Sequence, residues 1–225
     1  MLRQLDRNLW VLDKPFQKMG IDLGGRMTVI KLPSGGLWIH SPVRTTPEDR
    51  AALDRLGPVQ HIVAPNDAHH LFVGEFRSCY PEARLHVAPG LPRKDPRLDG
   101  DELTAEKTKA AWEGAIEQQF IAGFPRLNET VFLYGRTLIV TDLVFNITHV
   151  DGLLTQLFMA LDGALTGVRA TRIVRALLRD RGQARASLER VLTWDFERLI
   201  VTHGEVYSPG ARDALRNAYR SLLED

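Results

Sequence analysis

Three short apolar segments of this sequence each end in residues that commonly bind metals. The first segment leads to Asp67, His69 and His70, the second to Asp142, and the third to His203. Histidine nitrogens together with carboxylate oxygens suit a catalytic metal better than a structural one. Each segment is rich in β-branched and aliphatic residues, which is typical of a buried strand, and a rigid strand end can position a ligand. The sequence therefore predicts a metal site built at the ends of three strands.

The composition excludes several other kinds of site. A net charge of +1 argues against a dedicated nucleic-acid surface, because phosphate-binding proteins normally carry a basic excess. Cys79 is the only cysteine, which excludes an intrachain disulfide and a cysteine-rich zinc cluster, and we expect it to be a small buried side chain. No apolar run reaches the ~18 residues of a membrane span, and the N-terminus lacks the apolar core of a signal peptide. We therefore expect a cytoplasmic protein with a small-molecule substrate and without a nucleic-acid or membrane partner.

Apolar runs and turn residues predict alternating sheets and helices. The first forty residues favour β structure that ends in a hairpin strand at Leu37–His40, and Thr46 can cap the helix that follows. β structure is predicted again from Glu117 to Asp142, followed by a helical pattern from Leu153 to Trp194. The other predicted elements are a helix at 71–80, a strand at 84–88, a loop at 89–101, a strand at 198–202 and a helix at 209–223. No linker divides the chain, so we expect one layered α/β domain over residues 1–225.

The order of these features resembles the metallo-β-lactamase superfamily over nearly the whole chain. The resemblance implies an αββα four-layer sandwich, in which two β-sheets pack between outer helices and metals bind along one edge. The segment from Leu138 to Phe145 is similar to the family's L-x-x-G-D-x-x-F strand, which implies that Asp142 occupies the bridging-aspartate position. The segment Val201-Thr202-His203-Gly204 resembles the closing His-Gly of the family, with His203 as a metal ligand.

The first motif departs from the family's H-x-H-x-D-H pattern. Aligned on its last residue, Pro65 and Asp67 replace the first two histidines, His69 replaces the aspartate, and His70 matches the final histidine. Gly123-Phe124-Pro125-Arg126 stands where the family has a P-G-H-T turn, and it supplies no histidine. In two-metal members the missing histidines build one of the two sites. The resemblance therefore implies a one-metal variant, from a branch described as a domain of unknown function, with His69, His70, Asp142 and His203 as the remaining ligands.

Each candidate also has a role that needs no metal. Adjacent His69 and His70 could both face one ion only from a tight turn or a helix start, and otherwise one of them caps the next helix or faces solvent. Asp142 and His203 could each belong to a turn. Asp67 could orient a ligand histidine, act as a general base, or lie solvated in a loop.

Several further residues also allow a structural interpretation. His40 and Asn66 could line a pocket or satisfy backbone groups in a turn, whereas His61 and His86 lie within strands and are expected to be structural. An apolar stripe at helical spacing is typical of core packing, although it could also form a lid or a dimer face. This stripe consists of Leu153, Leu154, Leu157, Phe158 and Leu161.

The leading hypothesis is a metal-dependent hydrolase with a mononuclear site, in which His70, Asp142 and His203 hold the ion and His69 is a ligand or a hydrogen-bonding neighbour. One divalent metal, preferably zinc and otherwise iron or manganese, would lower the pKa of bound water from about 15.7 to about 7. The water would attack an ester, amide, lactone or thioester carbonyl, and Asp67 would position it. If all four ligands bind a tetrahedral ion, no coordination position is left for water and the site is structural. The second hypothesis is therefore a catalytically degenerate protein of the same fold with a structural or sensed metal, and a third is an iron protein of oxygen or redox chemistry.

Overall fold

The computed structural model describes residues 1–18, 20–103, 112, 114–165 and 167–224. Its internal contacts divide the chain into two compact units. The first unit contains Met1–Lys14 and Gly25–Ala115, and the second contains Pro15–Gly24 and Ile116–Asp225. The expectation of one domain over residues 1–225 stays a prediction.

The strands and helices lie along the chain as follows. The strands are β1 (Arg3–Asp6), β2 (Leu9–Lys14), β3 (Gln17–Lys18), β4 (Ile21–Asp22), β5 (Gly25–Lys31), β6 (Leu37–His40), β7 (Val59–Ala64), β8 (Arg84–Val87), β9 (Asp101–Glu102), β10 (Glu117–Phe120), β11 (Thr130–Tyr134), β12 (Thr137–Ile139) and β13 (Arg198–Ile200). The helices are α1 (Pro47–Asp54), α2 (Val73–Cys79), α3 (Leu91–Lys94), α4 (Leu153–Asp162), α5 (Arg172–Ala176), α6 (Arg181–Leu192), α7 (Ala211–Ala218) and α8 (Arg220–Leu223), with a 3₁₀ turn at Pro96–Leu98.

Within its described residues, the first unit holds a seven-stranded sheet in the order β1-β2-β5-β6-β7-β8-β9. The strands from β1 to β6 pair antiparallel, and those from β6 to β9 pair parallel. The sheet buries side chains such as Val29, Ile39 and Ile62 in one core with Phe76 of α2. Because β6 and β7 run parallel, Ser41 and the segment after Ala64 leave the sheet at the same edge.

The second unit holds a four-stranded sheet in the order β10-β11-β12-β13 and a separate β3–β4 ribbon. The pairs from β10 to β12 are antiparallel, whereas β12 and β13 are parallel. The apolar sides of α6 and α7 pack on this sheet through Leu188, Val191 and Leu215, which are buried. Because β12 and β13 run parallel, the chain segments that follow these two strands leave the sheet side by side.

Local signals located the first helix correctly. The Thr46 hydroxyl accepts a hydrogen bond from the Asp49 backbone N–H, and the Asp49 carboxylate accepts one from the Thr46 N–H. Pro47 occupies the first turn of α1, where its missing N–H costs nothing. The capped start predicted at Thr46 is therefore confirmed.

Other element boundaries differ from the predictions for identifiable reasons. The expected loop at 89–101 contains α3 and the 3₁₀ turn, whose prolines at the first helical positions fit a helix start. The helical pattern from Leu153 to Trp194 forms three helices, because Gly163 ends α4 in a left-handed conformation and the side chains of Thr171 and Asp180 cap new helix starts. The expectation that Cys79 is buried is wrong, since it is exposed at the end of α2.

The leucine stripe of α4 does not pack in a core. Leu153, Leu154, Leu157 and Leu161 are exposed, and only Phe158 packs against a small buried cluster with Ile147 and Met159. The core-packing interpretation is therefore wrong for the four leucines. In the part of the chain that the structure describes, no helix combines the length and the apolar character needed to cross a membrane.

Candidate metal centre

In the second unit, Asp142 and His203 follow neighbouring parallel strands. Ile139 of β12 pairs with Ile200 of β13, and the Val140 N–H donates to the Ile200 carbonyl at 2.9 Å. Three residues beyond this pair the two chain segments reach Asp142 and His203. Asp142 Oδ1 and His203 Nε2 lie 3.3 Å apart, so the structure brings these two predicted ligands together.

The orientation of the His203 ring is fixed from its other nitrogen. Nδ1 lies 3.1 Å from the Leu23 carbonyl oxygen and 3.0 Å from that of Gly24. A carbonyl oxygen only accepts, so Nδ1 must carry the hydrogen, and Nε2 is the nitrogen that faces Asp142. Phe145 stacks on the ring with centroids 5.1 Å apart. Metal-binding histidines are commonly held in this way through the nitrogen that does not bind the metal.

The surroundings of His203 favour a positive charge on or beside its ring. Burial by itself lowers the pKa of His203, but the Asp142 carboxylate and the two backbone carbonyls outweigh burial and raise the pKa. A ring with carbonyl oxygens on one side and a carboxylate on the other is stabilised by a cation, which can be a proton or a metal ion. The residues present therefore fit a divalent metal.

Glu129 holds the turn that carries Asp142, a role that no sequence pattern indicated. Its buried carboxylate accepts the backbone N–H groups of Thr141 at 2.7 Å, Asp142 at 2.9 Å and Leu143 at 3.0 Å. Burial, then the charge of Asp142, raises the pKa of Glu129 to about 7 despite these hydrogen bonds. Because its partners lie 12 to 14 residues away in sequence, no local pattern could have identified it.

Gly204 allows the His203 turn to pack closely on residues 145–147. Its φ is +97°, and a Cβ at this position would lie 2.1 Å from the Asn146 carbonyl oxygen. The Asn146 N–H donates to the His203 carbonyl at 3.2 Å, and the Glu205 N–H donates to the Asn146 carbonyl at 2.7 Å. The His-Gly pair seen in the sequence thus has a physical reason, because a larger residue would push His203 out of position.

In the first unit, a tight turn after β7 positions His69. The Asn66 side-chain oxygen accepts the backbone N–H groups of Ala68 at 2.9 Å and of His69 at 2.7 Å, so the turn-stabilising reading of Asn66 is confirmed. His69 Nδ1 lies 2.8 Å from the Ser41 hydroxyl oxygen, and Ser41 leaves β6 at the same sheet edge. Nε2 is then the ring nitrogen of His69 that would bind a metal.

His70 and Asp67 have different surroundings from His69. The His70 ring is half-buried, its Nδ1 has no hydrogen-bond partner among the described residues, and burial lowers its pKa. The Asp67 carboxylate forms an ion pair with the ammonium group of Lys94. A ligand role for His70 and a general-base role for Asp67 stay predictions.

The remaining histidines of the first unit form an aromatic cluster, in which His40 and His86 are buried and His61 is partly buried. His40 stacks on Trp38 with centroids 5.5 Å apart, and burial, followed by the charge of His69, lowers its pKa to about 3. His61 Nδ1 and His86 Nε2 lie 3.0 Å apart, and both rings contact Trp112 edge-on. His40 therefore stays neutral near pH 7, and the pair of His61 and His86 packs within the sheet.

Residues 6–162 match the model of a family described as Domain of unknown function (DUF4336). The chain belongs to this family. The match extends over parts of both units and includes His69, His70 and Asp142 but not His203. No curated protein sequence matches this DUF4336 protein.

Solved structures similar to the DUF4336 chain include metallo-β-lactamases. A metallo-β-lactamase from Pontibacter korlensis has a TM-score of 0.67 and 13% identity, with 100% of this chain and 99% of that chain covered. One from Hirschia baltica has a TM-score of 0.66 and 12% identity, with 99% and 97% covered. FIM-1 from Pseudomonas aeruginosa, in its mono-zinc form, has a TM-score of 0.65 and 7% identity, with 100% and 96% covered.

At sequence identities of 7% to 13%, the structural similarity establishes the fold and nothing more. The expected α/β class and the metallo-β-lactamase-like fold are confirmed, with two principal sheets and associated helices in the described residues. Fold sharing does not by itself transmit an activity. The function of this DUF4336 protein must therefore be argued from its own residues.

Proposed function

We propose that this protein is a metal-dependent hydrolase with one divalent metal, preferably zinc, bound by His69, Asp142 and His203. The observation that carries the proposal is the His203 ring, held through Nδ1 by two carbonyls with Nε2 directed at the Asp142 carboxylate. This arrangement favours a cation and resembles the usual support of a zinc-binding histidine. A mono-zinc form is also named for one protein of the same fold, FIM-1.

The donor set suits catalysis because it leaves a coordination position open. Two histidine nitrogens and one carboxylate oxygen are the ligand count of many catalytic zinc sites, in which a fourth position takes water or substrate. When bound, zinc would supply Lewis acidity and make water nucleophilic near neutral pH. If His70 also binds, all four positions of a tetrahedral ion are filled by protein ligands and none is left for water. The role of His70 therefore separates a catalytic from a structural metal.

The chain's own residues would orient the ligands and the reactants. Ser41 holds His69 through Nδ1, the Leu23 and Gly24 carbonyls hold His203, and the Asp67–Lys94 pair fixes the carboxylate that we propose positions the water. The substrate would be a small molecule with an ester, amide, lactone or thioester carbonyl. Its identity would depend on the segments 89–103 and 146–170, whose sequences carry no motif of known chemistry.

Elemental analysis of the full chain, purified without added metal or chelator, tests the proposal. We expect about one zinc per chain in the wild type and less than a tenth of that in His69→Ala, Asp142→Ala and His203→Ala. His149→Ala is the matched control, because His149 is an exposed histidine whose hydrogen bond among the described residues goes to the exposed Asp151. Unchanged metal content in His203→Ala would contradict the site.

The His70→Ala variant decides the ligand number in the same experiment. Zinc retained in this variant supports three protein ligands and an open position, and we then expect hydrolysis in a screen of ester, lactone and thioester substrates with the zinc-loaded wild type. Zinc lost in this variant indicates a closed four-ligand site. A wild type that folds without any metal would contradict the metal-dependent function altogether.

A further inference from the structure

The side of α4 that faces solvent is more apolar than the side that faces the protein. The buried positions of the helix are Thr155, Met159 and Asp162. The exposed leucines are Leu153 at 81%, Leu154 at 59%, Leu157 at 55% and Leu161 at 61% exposure. Scattered single leucines are common on protein surfaces, but a contiguous set of this kind marks an interaction site.

The start of α5 extends this apolar surface. The Arg172 guanidinium donates to the Leu161 carbonyl at 2.9 Å, and the Ile173 N–H donates to the Asp162 carboxylate at 2.8 Å. These bonds place the first turn of α5 at the C-terminal end of α4. Ile173 is 50% exposed, so it adds a fifth large apolar side chain to the surface.

Positive charge without a carboxylate partner lies at the C-terminal end of the apolar surface. The exposed Arg172 is placed there by its hydrogen bond to the Leu161 carbonyl, whereas Arg175 and Arg179 donate to the carbonyls of Ala218 and Ala176. A carbonyl does not neutralise a guanidinium, and within the described ranges Arg172 forms no ion pair with a carboxylate. Between Leu153 and Leu161 the helix carries no charged residue, and the exposed Asp151 precedes its opposite end. The surface therefore combines exposed leucines with an uncompensated arginine at one end.

We propose that α4 and the first turn of α5 form a docking surface for an anionic lipid bilayer. Leucines on one face of an interfacial helix enter the boundary between headgroups and acyl chains, while arginines bind lipid phosphates. A partner helix would need a groove to bind in, whereas Leu153 is 81% exposed to solvent.

This proposal concerns contact with the membrane surface and does not depend on the metal site. The expectation of no membrane partner was based on the absence of long apolar runs, which bears on spanning helices only. A surface helix needs no such run, because its apolar side enters the bilayer only to a depth of about 5–10 Å.

Vesicle flotation of the full-length protein tests the surface, with phosphatidylcholine vesicles compared to vesicles that also contain phosphatidylserine. We expect binding to the anionic vesicles, weakened by salt, and at least about fivefold weaker binding to the neutral ones. The double variant Leu154→Glu, Leu157→Glu should lose binding, whereas Leu154→Met, Leu157→Met keeps the apolar area and should retain it.

The arginine is tested by charge reversal. Arg172→Glu should weaken binding to anionic vesicles by at least about fivefold, since each arginine near such a surface contributes this much. Arg212→Glu is the matched control, because Arg212 is an exposed arginine on α7, away from this surface in sequence, and should bind as the wild type does. Circular dichroism and thermal unfolding verify that each variant is folded.

Three results would overturn the proposal. The first is a wild type that does not bind anionic vesicles. The second is binding that is equal on neutral vesicles or insensitive to the glutamate substitutions. The third is a dimer, seen by light scattering, that the leucine-to-glutamate variant dissociates in the absence of vesicle binding, because a second copy then covers the face.

Discussion

His69 and His203, the two histidines of the proposed three-ligand site, are each held through the ring nitrogen that would not bind the metal. Ser41 contacts His69 Nδ1 at 2.8 Å, and the Leu23 and Gly24 carbonyls lie 3.1 and 3.0 Å from His203 Nδ1. Partners of this kind set the tautomer and the direction of the ligand atom. Their contribution should therefore be visible in metal affinity even though they touch no metal.

We predict that Ser41→Ala weakens zinc binding by about 10- to 100-fold without unfolding the protein, because His69 loses the group that orients its ring. Competition with a zinc chelator measures the affinity, and urea unfolding reports the fold. Ser78→Ala is the matched control, since the Ser78 hydroxyl is exposed on α2 and bonds only the Glu75 carbonyl. Equal zinc affinity in the wild type and Ser41→Ala would show that Ser41 does not support a ligand.

His86 should make the protein less stable in acid. Burial, followed by the charge of His61, lowers its pKa from 6.5 to about 3 in the folded state. Above pH 7 both states hold His86 neutral, and between the two pKa values only the unfolded chain gains a proton. The free energy of unfolding should therefore fall with falling pH, by about 1.4 kcal/mol between pH 7.5 and 5.5 for this one histidine.

Urea unfolding at these two pH values measures the effect. His86→Gln cannot titrate in this range, so it should lose about 1.4 kcal/mol less than the wild type on acidification, whatever its stability at pH 7.5. An unchanged pH dependence in His86→Gln would contradict a neutral buried His86.

At the scale of elements, the Glu129 carboxylate fixes the turn after β12. We predict that Glu129→Gln lowers the free energy of unfolding by about 2 kcal/mol, because an amide offers one oxygen to three N–H groups and adds donors of its own. Since Asp142 shifts with the turn, zinc affinity should fall as well. Tyr219→Phe is the comparison, because it removes one hydrogen bond to the Leu143 carbonyl in the same turn and leaves Glu129 in place. If Glu129→Gln loses stability but keeps its zinc affinity, the turn does not position Asp142 for the metal.

Features that depend on neighbouring residues were predictable from the sequence, and those that join distant segments were not. The cap of α1 lies within the four residues from Thr46 to Asp49, and the strand-end positions of Asp142 and His203 follow from two short apolar runs. The support of His203 by Leu23 and Gly24 crosses about 180 residues, so no local pattern contains it. Sequence therefore indicated candidate ligands but not the groups that orient them.

The leucines of α4 show a second limit of sequence patterns. Apolar residues at positions 153, 154, 157 and 161 define one face of a helix, but the same spacing results whether that face meets the core or the solvent. In the structure the opposite face is buried, with the Thr155 hydroxyl accepting from the Asp22 N–H and the Asp162 carboxylate accepting from the Ile173 N–H. The inner positions of α4 include polar side chains that have hydrogen-bond partners. Hydrophobic periodicity carries no information about such partners, so it could not predict which face is buried.

For the whole molecule, the residues that we propose as ligands belong to different units, His69 to the first and Asp142 and His203 to the second. A ligand that binds only the folded state raises the free energy of unfolding by RT ln(1 + [L]/Kd), which is about 2.7 kcal/mol at 100 times Kd. If the ion needs residues of both units, it must oppose the unfolding of either one.

We predict that zinc at about 100 times its Kd raises protection by about 2.7 kcal/mol in both units, measured by native-state hydrogen exchange on peptides from each. In His69→Ala the first unit should lose this gain, because its ligand to the ion is gone. Stabilisation confined to the second unit in the wild type would mean that Asp142 and His203 bind the ion without His69, and the three-ligand site would then be wrong. Equal gains in both units would also support the single domain expected from the sequence, since one ion would then couple their unfolding.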